Sequence, residues 1–262
     1  MTVYFIGAGP GAADLITVRG QRLLARCPVC LYAGSIMPEE LLALCPPGAR
    51  IVDTGPLTLR QIVAELAAAD AAGQDVARLH SGDPSLYSAL AEQCRRLNAL
   101  GIRYEIVPGV PAFAAAAAAL GRELTVPGVA QTVTLTRVAT VSTPMPPGED
   151  LATLSRSRST LVVHLAAAQI DTIVPQLLAG GYRANTPAAV VAFASWPQQI
   201  VLRGTLADVA GQMRDAAIRK TAVIIVGDAL AAEGFTDSYL YSAARRAGDE
   251  RGPASARGRV AD

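Results

Sequence analysis

Short apolar runs alternate with longer amphipathic segments over the first half of the chain. Runs typical of buried strands lie at 3–6, 29–32, 51–52, 76–79 and 104–107. Segments with helical periodicity separate them at 18–25, 39–44, 59–71 and 86–100. Strands and helices that alternate at this spacing predict an open and mostly parallel α/β sheet.

The pattern changes near residues 125–128, and the second half predicts a sheet of another kind. Strand-like runs lie at 132–137, 160–165, 188–194, 200–203 and 222–226, with helical stretches at 170–178 and 206–217. Because Trp196-Pro197 joins two consecutive runs, we expect a hairpin and hence a mixed sheet. The fold class is therefore α/β with two α/β domains, which we place at 1–124 and 125–230, followed by a polar and largely disordered tail at 231–262.

Composition narrows the chemistry of this 262-residue chain. Charged residues make up 17% and the net charge is +1, so a nucleic-acid partner is not predicted. Lys220 is the single lysine, and His80 and His164 are the only histidines. No Gly-Lys pair exists for a nucleotidase phosphate loop, and no His-Glu-x-x-His string exists for a zinc hydrolase. Without a long apolar run or a basic leader, we expect a cytoplasmic protein with no membrane contact.

Four cysteines include one Cys-x-x-Cys, formed by Cys27 and Cys30. A redox or zinc pair needs a helix that starts at the first cysteine, or a second pair of ligands. Cys27 and Cys30 instead lie between a helix-like and a strand-like segment. The pattern favours buried thiols, and we predict no metal site.

A glycine-rich loop follows the first strand, with the sequence Gly7-Ala-Gly-Pro-Gly-Ala12. It satisfies the loose G-x-G-x-x-A form of a dinucleotide-binding turn. The second predicted strand, however, is not followed by a carboxylate for the ribose, and Asp14 to Thr17 intervene before the next helix. Pro10 also removes one N–H donor. A nicotinamide or flavin oxidoreductase is therefore kept as an alternative.

Two further glycine-bearing loops follow the fourth and fifth strands. The first is His80-Ser-Gly-Asp-Pro-Ser-Leu-Tyr87 and the second is Pro108-Gly-Val-Pro111, which precedes an alanine-rich helix. Each by itself is compatible with an ordinary turn. Because ligands of open α/β sheets bind at the carboxyl ends of strands, the three loops can converge on one ligand.

Taken in order, these strings resemble the tetrapyrrole methyltransferases that use S-adenosylmethionine. The resemblance rests on residues 3–17, 81–87 and 107–110, and it extends from about Thr2 to Leu230. Within that family, residues 33–42, the strand 131–137 and Ser195-Trp-Pro197 resemble the branch that methylates carbon 11 of precorrin-4 in cobalamin biosynthesis. The resemblance implies a cofactor cleft between two α/β domains, a homodimer, and a precorrin tetrapyrrole as substrate. A cobalt-containing precorrin-4 and another precorrin methylation stay open.

The resemblance also implies which residues surround the cofactor S-adenosylmethionine. They are Pro10, Ser81, Gly82, Asp83, Tyr87, Ala112, Phe113, Leu165, Ala192 and Ala222. Two positions depart from the family pattern. Pro111-Ala112 replaces a pair that often carries hydroxyl groups, and Leu165 stands where related enzymes often have methionine.

The chemistry of the implied substrate suggests two more residues. Precorrins carry acetate and propionate groups, which guanidinium groups bind in two-point geometry, and Arg137 is the candidate for this role. Trp196 is a candidate for stacking on the macrocycle, with simple packing as the alternative. No catalytic acid or base is assigned, because methyl transfer from a sulfonium needs none. Asp83 is expected to position the cofactor rather than to move a proton, and His80 is expected to be a packed residue. A module that binds a tetrapyrrole without turnover is a further alternative.

Overall fold

A computed structural model describes residues 1–34, 37–140, 143–235 and 238. Its ten strands in the described part of the chain are β1 (Val3–Gly7), β2 (Val29–Tyr32), β3 (Arg50–Asp53), β4 (Val76–His80), β5 (Tyr104–Val107), β6 (Val133–Arg137), β7 (Thr160–His164), β8 (Pro187–Ala192), β9 (Ile200–Thr205) and β10 (Ala222–Val226). The α-helices are α1 (Val18–Leu24), α2 (Glu39–Leu42), α3 (Leu59–Ala71), α4 (Leu90–Leu100), α5 (Ala112–Leu120), α6 (Leu151–Leu154), α7 (Ile170–Ala179) and α8 (Val209–Asp215).

The first sheet has five strands in the order β3-β2-β4-β1-β5, and all its pairs are parallel. Alternate residues of its strands enter two separate apolar clusters. Phe5 and Leu31 pack with α3 and α4, whereas Ile6 and Leu79 pack with α1 and α2. Burial on both faces is what a parallel sheet with helical crossovers requires.

The second sheet has the order β6-β7-β10-β8-β9 and is mixed. β6 and β7 are parallel, while the other neighbours are antiparallel, including the predicted hairpin of β8 and β9. α5 packs on this sheet, where Ala115 and Ala116 lie against Val191 and Ile225. The small alanine side chains let the helix approach the strands closely. The predicted class of two α/β units, one parallel and one mixed, is confirmed.

One helix begins later than its apolar pattern predicts. The pattern starts the fourth helix at residue 86, but α4 begins at Leu90. Tyr87 and Ala89 both have φ of 52°, in the left-handed region, which an α-helix cannot contain. The residues from 86 to 89 form a separate loop next to the first sheet.

The proline-rich loop lies at the surface, and the cysteines of the Cys-x-x-Cys lie in the core. Residues 143–150 are mostly exposed, as expected for a proline-rich loop, and the predicted tail lies largely outside the described residues. Cys27 and Cys30 are buried in the first core, and burial raises the pKa of the Cys27 thiol to about 12. Among the described residues, no cluster of three or more His, Cys, Asp or Glu side chains could hold a metal ion. No helix in those same residues is long and apolar enough to cross a membrane.

Candidate functional site

Three loops converge at the carboxyl ends of β1, β4 and β5, which are neighbours in the first sheet. Gly9 and Gly82 exchange backbone hydrogen bonds of 3.2 and 2.7 Å, which join the first loop to the second. The Asp83 carboxylate accepts a hydrogen bond of 2.7 Å from the Gly109 N–H, which joins the second loop to the third. The convergence inferred from the sequence is thus present as one bonded unit.

The glycines of this unit allow backbone to approach backbone. A Cβ atom on Gly109 would lie 2.2 Å from the Gly82 carbonyl oxygen, and one on Gly7 would lie 2.5 Å from the Gly109 Cα. Gly9 and Gly82 adopt φ of 80° and 70°, where side chains cause strain. The glycine-rich loop therefore holds the other two loops in place, which differs from its role in a dinucleotide-binding turn. Consistent with this, a short 3₁₀ turn at Ala13–Leu15 separates it from α1.

Asp83 acts within the protein as the link between the loops. One carboxylate oxygen accepts hydrogen bonds from the backbone and the hydroxyl of Ser85, and the other accepts from Gly109. Burial raises the pKa of the carboxyl, but the hydrogen bonds from Ser85 and Gly109 outweigh burial, so that the pKa is lowered. Asp83 is thus held ionised and positions the loops.

We expect Asp83→Asn to lower the stability of the protein at neutral pH. The amide cannot reproduce charge-assisted hydrogen bonds, so the loss is on the order of 1–2 kcal/mol. Because the folded-state pKa is depressed, the stabilisation by Asp83 is present above the unfolded-state pKa and disappears as the pH falls through the folded-state pKa.

The check is thermal unfolding of both proteins from pH 7 to pH 3. The difference in Tm should shrink steadily toward acid. Asp215→Asn, at an exposed aspartate that ends α8, is the control and should show little difference at any pH. A Tm gap for Asp83→Asn that stayed constant with pH would contradict the assignment of an ionised link.

A cleft of about 360 Å³ lies between the converging loops and the ends of the second sheet, and we call it the smaller cleft. Pro10, Ser81 and Ala112 line it from the first half of the chain. The second half supplies the remaining lining residues, which are 164–168, 191, 194, 196 and 219–223. The volume lies within the range of small-molecule sites.

Six of the residues expected at the site line the smaller cleft, namely Pro10, Ser81, Ala112, Leu165, Trp196 and Ala222. The others lie outside the lining. Gly82 and Asp83 follow Ser81 in the loop unit, Tyr87 and Phe113 pack against His164, and Ala192 is fully buried in β8 opposite Ala222. Their contact with a cofactor stays a prediction.

The backbone around the smaller cleft is unusually strained. Leu165 and Thr221, on its wall, have φ of 54° and 53°, and the nearby Phe193 and Ser195 have φ of 50° and 69°. Non-glycine residues in this region cluster at ligand sites in proteins. Leu165, which directly follows β7, is 63% exposed, although residues 160–163 of that strand are buried. These features fit a wall that presents backbone and apolar side chains to a ligand.

Two features of the smaller cleft were missed by the sequence reasoning. His164 lines it, with ring contacts to Tyr87 at 5.5 Å and to Phe113 at 6.4 Å between centroids. Arg219 and Lys220 line it as well, from the turn before β10. In the sequence, His164 lies at the end of one predicted strand, and Arg219 and Lys220 lie just before another. These strand ends come together only because β7 and β10 pair in antiparallel fashion.

His80, in contrast, is a packed residue. It is 5% exposed, lies against Phe5 with a centroid distance of 5.6 Å, and does not line the smaller cleft. Burial and the neighbouring Arg78 charge lower the pKa of His80 to about 3. A role in proton transfer at neutral pH is therefore not supported.

A second cleft of about 650 Å³ lies on the other side of Trp196, and we call it the larger cleft. Trp196 lines both clefts, and its Nε1 donates a hydrogen bond of 3.1 Å to the Pro10 carbonyl oxygen. Ala12 N–H donates to the Ser195 hydroxyl at 2.9 Å, and a Cβ on Gly11 would lie 2.2 Å from the indole ring. The first loop and the Trp196 segment therefore form a common wall.

The larger cleft has a charge that the sequence did not predict. Its described lining includes Asp14 and Glu40 but no lysine, arginine or histidine. Arg137 lies elsewhere and donates hydrogen bonds of 2.9 to 3.1 Å to the carbonyl oxygens of Val138, Thr143 and Pro144. These bonds brace the exposed loop 143–150. Binding of substrate carboxylates by Arg137 stays a prediction. The guanidinium would have to bind a carboxylate in addition to these carbonyl oxygens or in place of them.

The chain is similar in sequence to known proteins over most of its length. Residues 2–210 match the family model of the tetrapyrrole (corrin/porphyrin) methylases, which is most of the chain. The chain belongs to this family. A precorrin-4 C(11)-methyltransferase of Mycobacterium tuberculosis is 84% identical over 245 residues, covering 94% of this chain and 98% of the relative. The family assignment confirms a methyltransferase and decides against the oxidoreductase alternative.

Solved structures of tetrapyrrole methylases share the fold. A cobalt precorrin-4 methyltransferase of cobalamin biosynthesis has a TM-score of 0.85 at 39% identity, covering 87% of this chain and 95% of that chain. A uroporphyrin-III C-methyltransferase from Thermus thermophilus, complexed with S-adenosylhomocysteine, has a TM-score of 0.76 at 30% identity, covering 88% and 99%. S-adenosylmethionine is the methyl donor, as the resemblance implied.

Proposed function

We propose that this protein transfers a methyl group from S-adenosylmethionine to carbon 11 of precorrin-4 in cobalamin biosynthesis. The observation that carries the proposal is the common wall formed by Pro10, Gly11 and Trp196, with one cleft on each side. A group transfer between two ligands needs two sites that meet. The 84% identity to a precorrin-4 C(11)-methyltransferase supports the choice of acceptor and of carbon.

We assign the donor to the smaller cleft. Its volume of about 360 Å³, its apolar walls and the strained backbone at Leu165 and Thr221 fit a ligand held by backbone and packing contacts. Ser81 and Thr221 can offer hydroxyl groups there. Gly82, Asp83, Tyr87, Phe113 and Ala192 would act from behind the lining, by holding Ser81, Ala112, His164 and Ala222 in place.

We assign the acceptor to the larger cleft, where Trp196 presents a wall to the macrocycle. The 650 Å³ volume and its open border leave room for a ligand larger than the donor. The carboxylates of Asp14 and Glu40 disfavour acetate and propionate groups nearby. We therefore expect those groups to point away from Asp14 and Glu40, toward the rim.

The protein's own residues contribute orientation and exclusion of water. When bound, S-adenosylmethionine supplies an electrophilic methyl group on a positively charged sulfur. The acceptor carbon provides the electron pair for the new carbon–carbon bond, the bond between the methyl carbon and sulfur breaks, and sulfur keeps that electron pair as a neutral thioether. A proton then leaves the methylated macrocycle, so the net gain is one CH₂ group. Pro10 and Trp196 set the distance between donor and acceptor, and the loop unit around Asp83 keeps Pro10 and Ser81 fixed.

Identity favours the metal-free acceptor over the cobalt form. The relative at 84% identity is named for precorrin-4, while the solved cobalt precorrin-4 enzyme is 39% identical. We further propose a homodimer in the cytoplasm, on the basis of the family resemblance alone.

The test combines calorimetry with mass spectrometry on the full chain. We expect S-adenosylhomocysteine to bind, and precorrin-4 incubated with S-adenosylmethionine to gain one CH₂ group. Cobalt-precorrin-4 is assayed in parallel and should react more slowly. Failure to bind S-adenosylhomocysteine would overturn the donor site. Binding without a mass gain on precorrin-4 would overturn the acceptor.

A further inference from the structure

The smaller cleft has to hold a cationic ligand without a carboxylate. No Asp or Glu appears among its lining residues in the described part of the chain. In the loop unit, both carboxylate oxygens of Asp83 already accept hydrogen bonds, from Ser85 and from Gly109. The charged side chains that do line the cleft, Arg219 and Lys220, are both cations. Electrostatics from side chains would therefore repel the sulfonium of the methyl donor.

Ring faces are the remaining side-chain groups of the lining that attract a cation strongly. Two rings line the smaller cleft, the imidazole of His164 and the indole of Trp196. A cation held over an aromatic face is attracted by the π electrons. Trp196 is already fixed as the common wall by its hydrogen bond to Pro10. His164 is the other ring of the lining and lies at the end of β7.

The surroundings of His164 keep its ring in place and leave one nitrogen unused. Tyr87, from the loop before α4, and Phe113, from α5, pack against it. Its Nε2 is buried and has no hydrogen-bond partner among the described residues. Arg137 lies in register with His164 on β6, and Arg219 and Lys220 share the cleft.

His164 is also expected to be uncharged at neutral pH. Burial lowers the pKa of its imidazole below the ordinary value of 6.5. Its register partner Arg137 and the charged residues that share the cleft lining, Arg219 and Lys220, are all cations, so none of them favours protonation. A neutral imidazole attracts a sulfonium, whereas an imidazolium would repel it.

We infer that His164 is a positioning and selectivity residue that holds the sulfonium of the methyl donor through its uncharged ring face. This inference rests on the donor site proposed above. The product S-adenosylhomocysteine has no charge on sulfur, so His164 should favour the donor over the product. The measurable quantity is the ratio of two dissociation constants, Kd for S-adenosylmethionine divided by Kd for S-adenosylhomocysteine.

The test is calorimetry of both ligands, without acceptor, on the unaltered protein and on two variants. His164→Leu keeps apolar volume but removes the ring face, and the ratio should rise about fivefold, as expected for a partly desolvated cation–π contact. His164→Phe keeps a ring face that cannot be protonated, and the ratio should stay within about twofold of the unaltered protein. A merely structural role would weaken both ligands equally and leave the ratio unchanged.

Each outcome decides the question. An unchanged ratio in His164→Leu, or an equal rise in both variants, would overturn the role of the ring face. Nuclear magnetic resonance of the His164 imidazole provides a readout independent of ligand, and titration above pH 7 would overturn it too. If neither ligand bound the unaltered protein, the donor site itself would be wrong and this inference with it. Binding of both with an unchanged ratio would leave the donor site standing and remove only the role of His164.

Discussion

Gly109→Ala is expected to break the loop unit that supports both clefts. The added Cβ would lie 2.2 Å from the Gly82 carbonyl oxygen and 2.7 Å from the Gly7 Cα, and both of these atoms belong to backbone. Neither can rotate away, so the loops after β1, β4 and β5 must separate. Overpacking of this kind costs on the order of 3 kcal/mol. Because Ser81 and Pro10 move with the loops, affinity for S-adenosylhomocysteine should also fall by at least about tenfold.

Gly211→Ala is the matched control, because it makes the same chemical change without a steric clash. Gly211 lies inside α8, and the atom nearest to its added Cβ would be an Arg214 nitrogen at 3.8 Å. Alanine favours a helix over glycine, so this variant should be unchanged or more stable by up to about 1 kcal/mol. Urea unfolding and calorimetry measure both effects. A Gly109→Ala protein with unaltered stability and affinity would show that the three loops are not held together as described.

The fold was predictable where local pattern and packing agree. The inner strands β1, β2 and β4 are short apolar runs between helical segments, and their burial on both faces follows from that pattern alone. The apolar pattern predicted the wrong start for α4, because Tyr87 and Ala89 have left-handed backbone and the helix begins only at Leu90. Nothing in the local residues requires that conformation, since neither is glycine. The contact of Tyr87 with His164, distant in sequence, is a property of the folded chain.

The candidate site was predictable as a set of loops but less so as a set of roles. The glycines and Asp83 could be singled out from the sequence, yet the partner of Asp83 is Gly109, 26 residues away. His164, Arg219 and Lys220 reach the smaller cleft because β7 and β10 pair in antiparallel fashion. The prediction that Arg137 binds substrate carboxylates came from substrate chemistry and stays a prediction, whereas the acidic lining of the larger cleft by Asp14 and Glu40 was not predicted. Charge at a cleft depends on which strand ends meet, which composition does not determine.

Trp196→Ala is expected to reduce methyl transfer about 100-fold, because it removes the wall at which donor and acceptor meet. The variant loses the hydrogen bond from Nε1 to the Pro10 carbonyl oxygen. It also leaves a gap beside Gly11, because the indole packs directly against this glycine. Both clefts then merge, so that neither ligand is held at a fixed distance from the other. S-adenosylhomocysteine keeps its other contacts, and its Kd should rise by less than about tenfold.

Single-turnover measurements separate these effects from those of binding. With S-adenosylmethionine saturating, the rate of methyl transfer to precorrin-4 should still fall in Trp196→Ala, since the loss concerns alignment. Trp196→Phe retains an aromatic wall but cannot donate to Pro10, so its rate should lie between those of the unaltered protein and Trp196→Ala. If saturating donor restored the full rate to Trp196→Ala, Trp196 would be only a part of the donor site. The acceptor would then have to approach the methyl group from a direction other than the larger cleft.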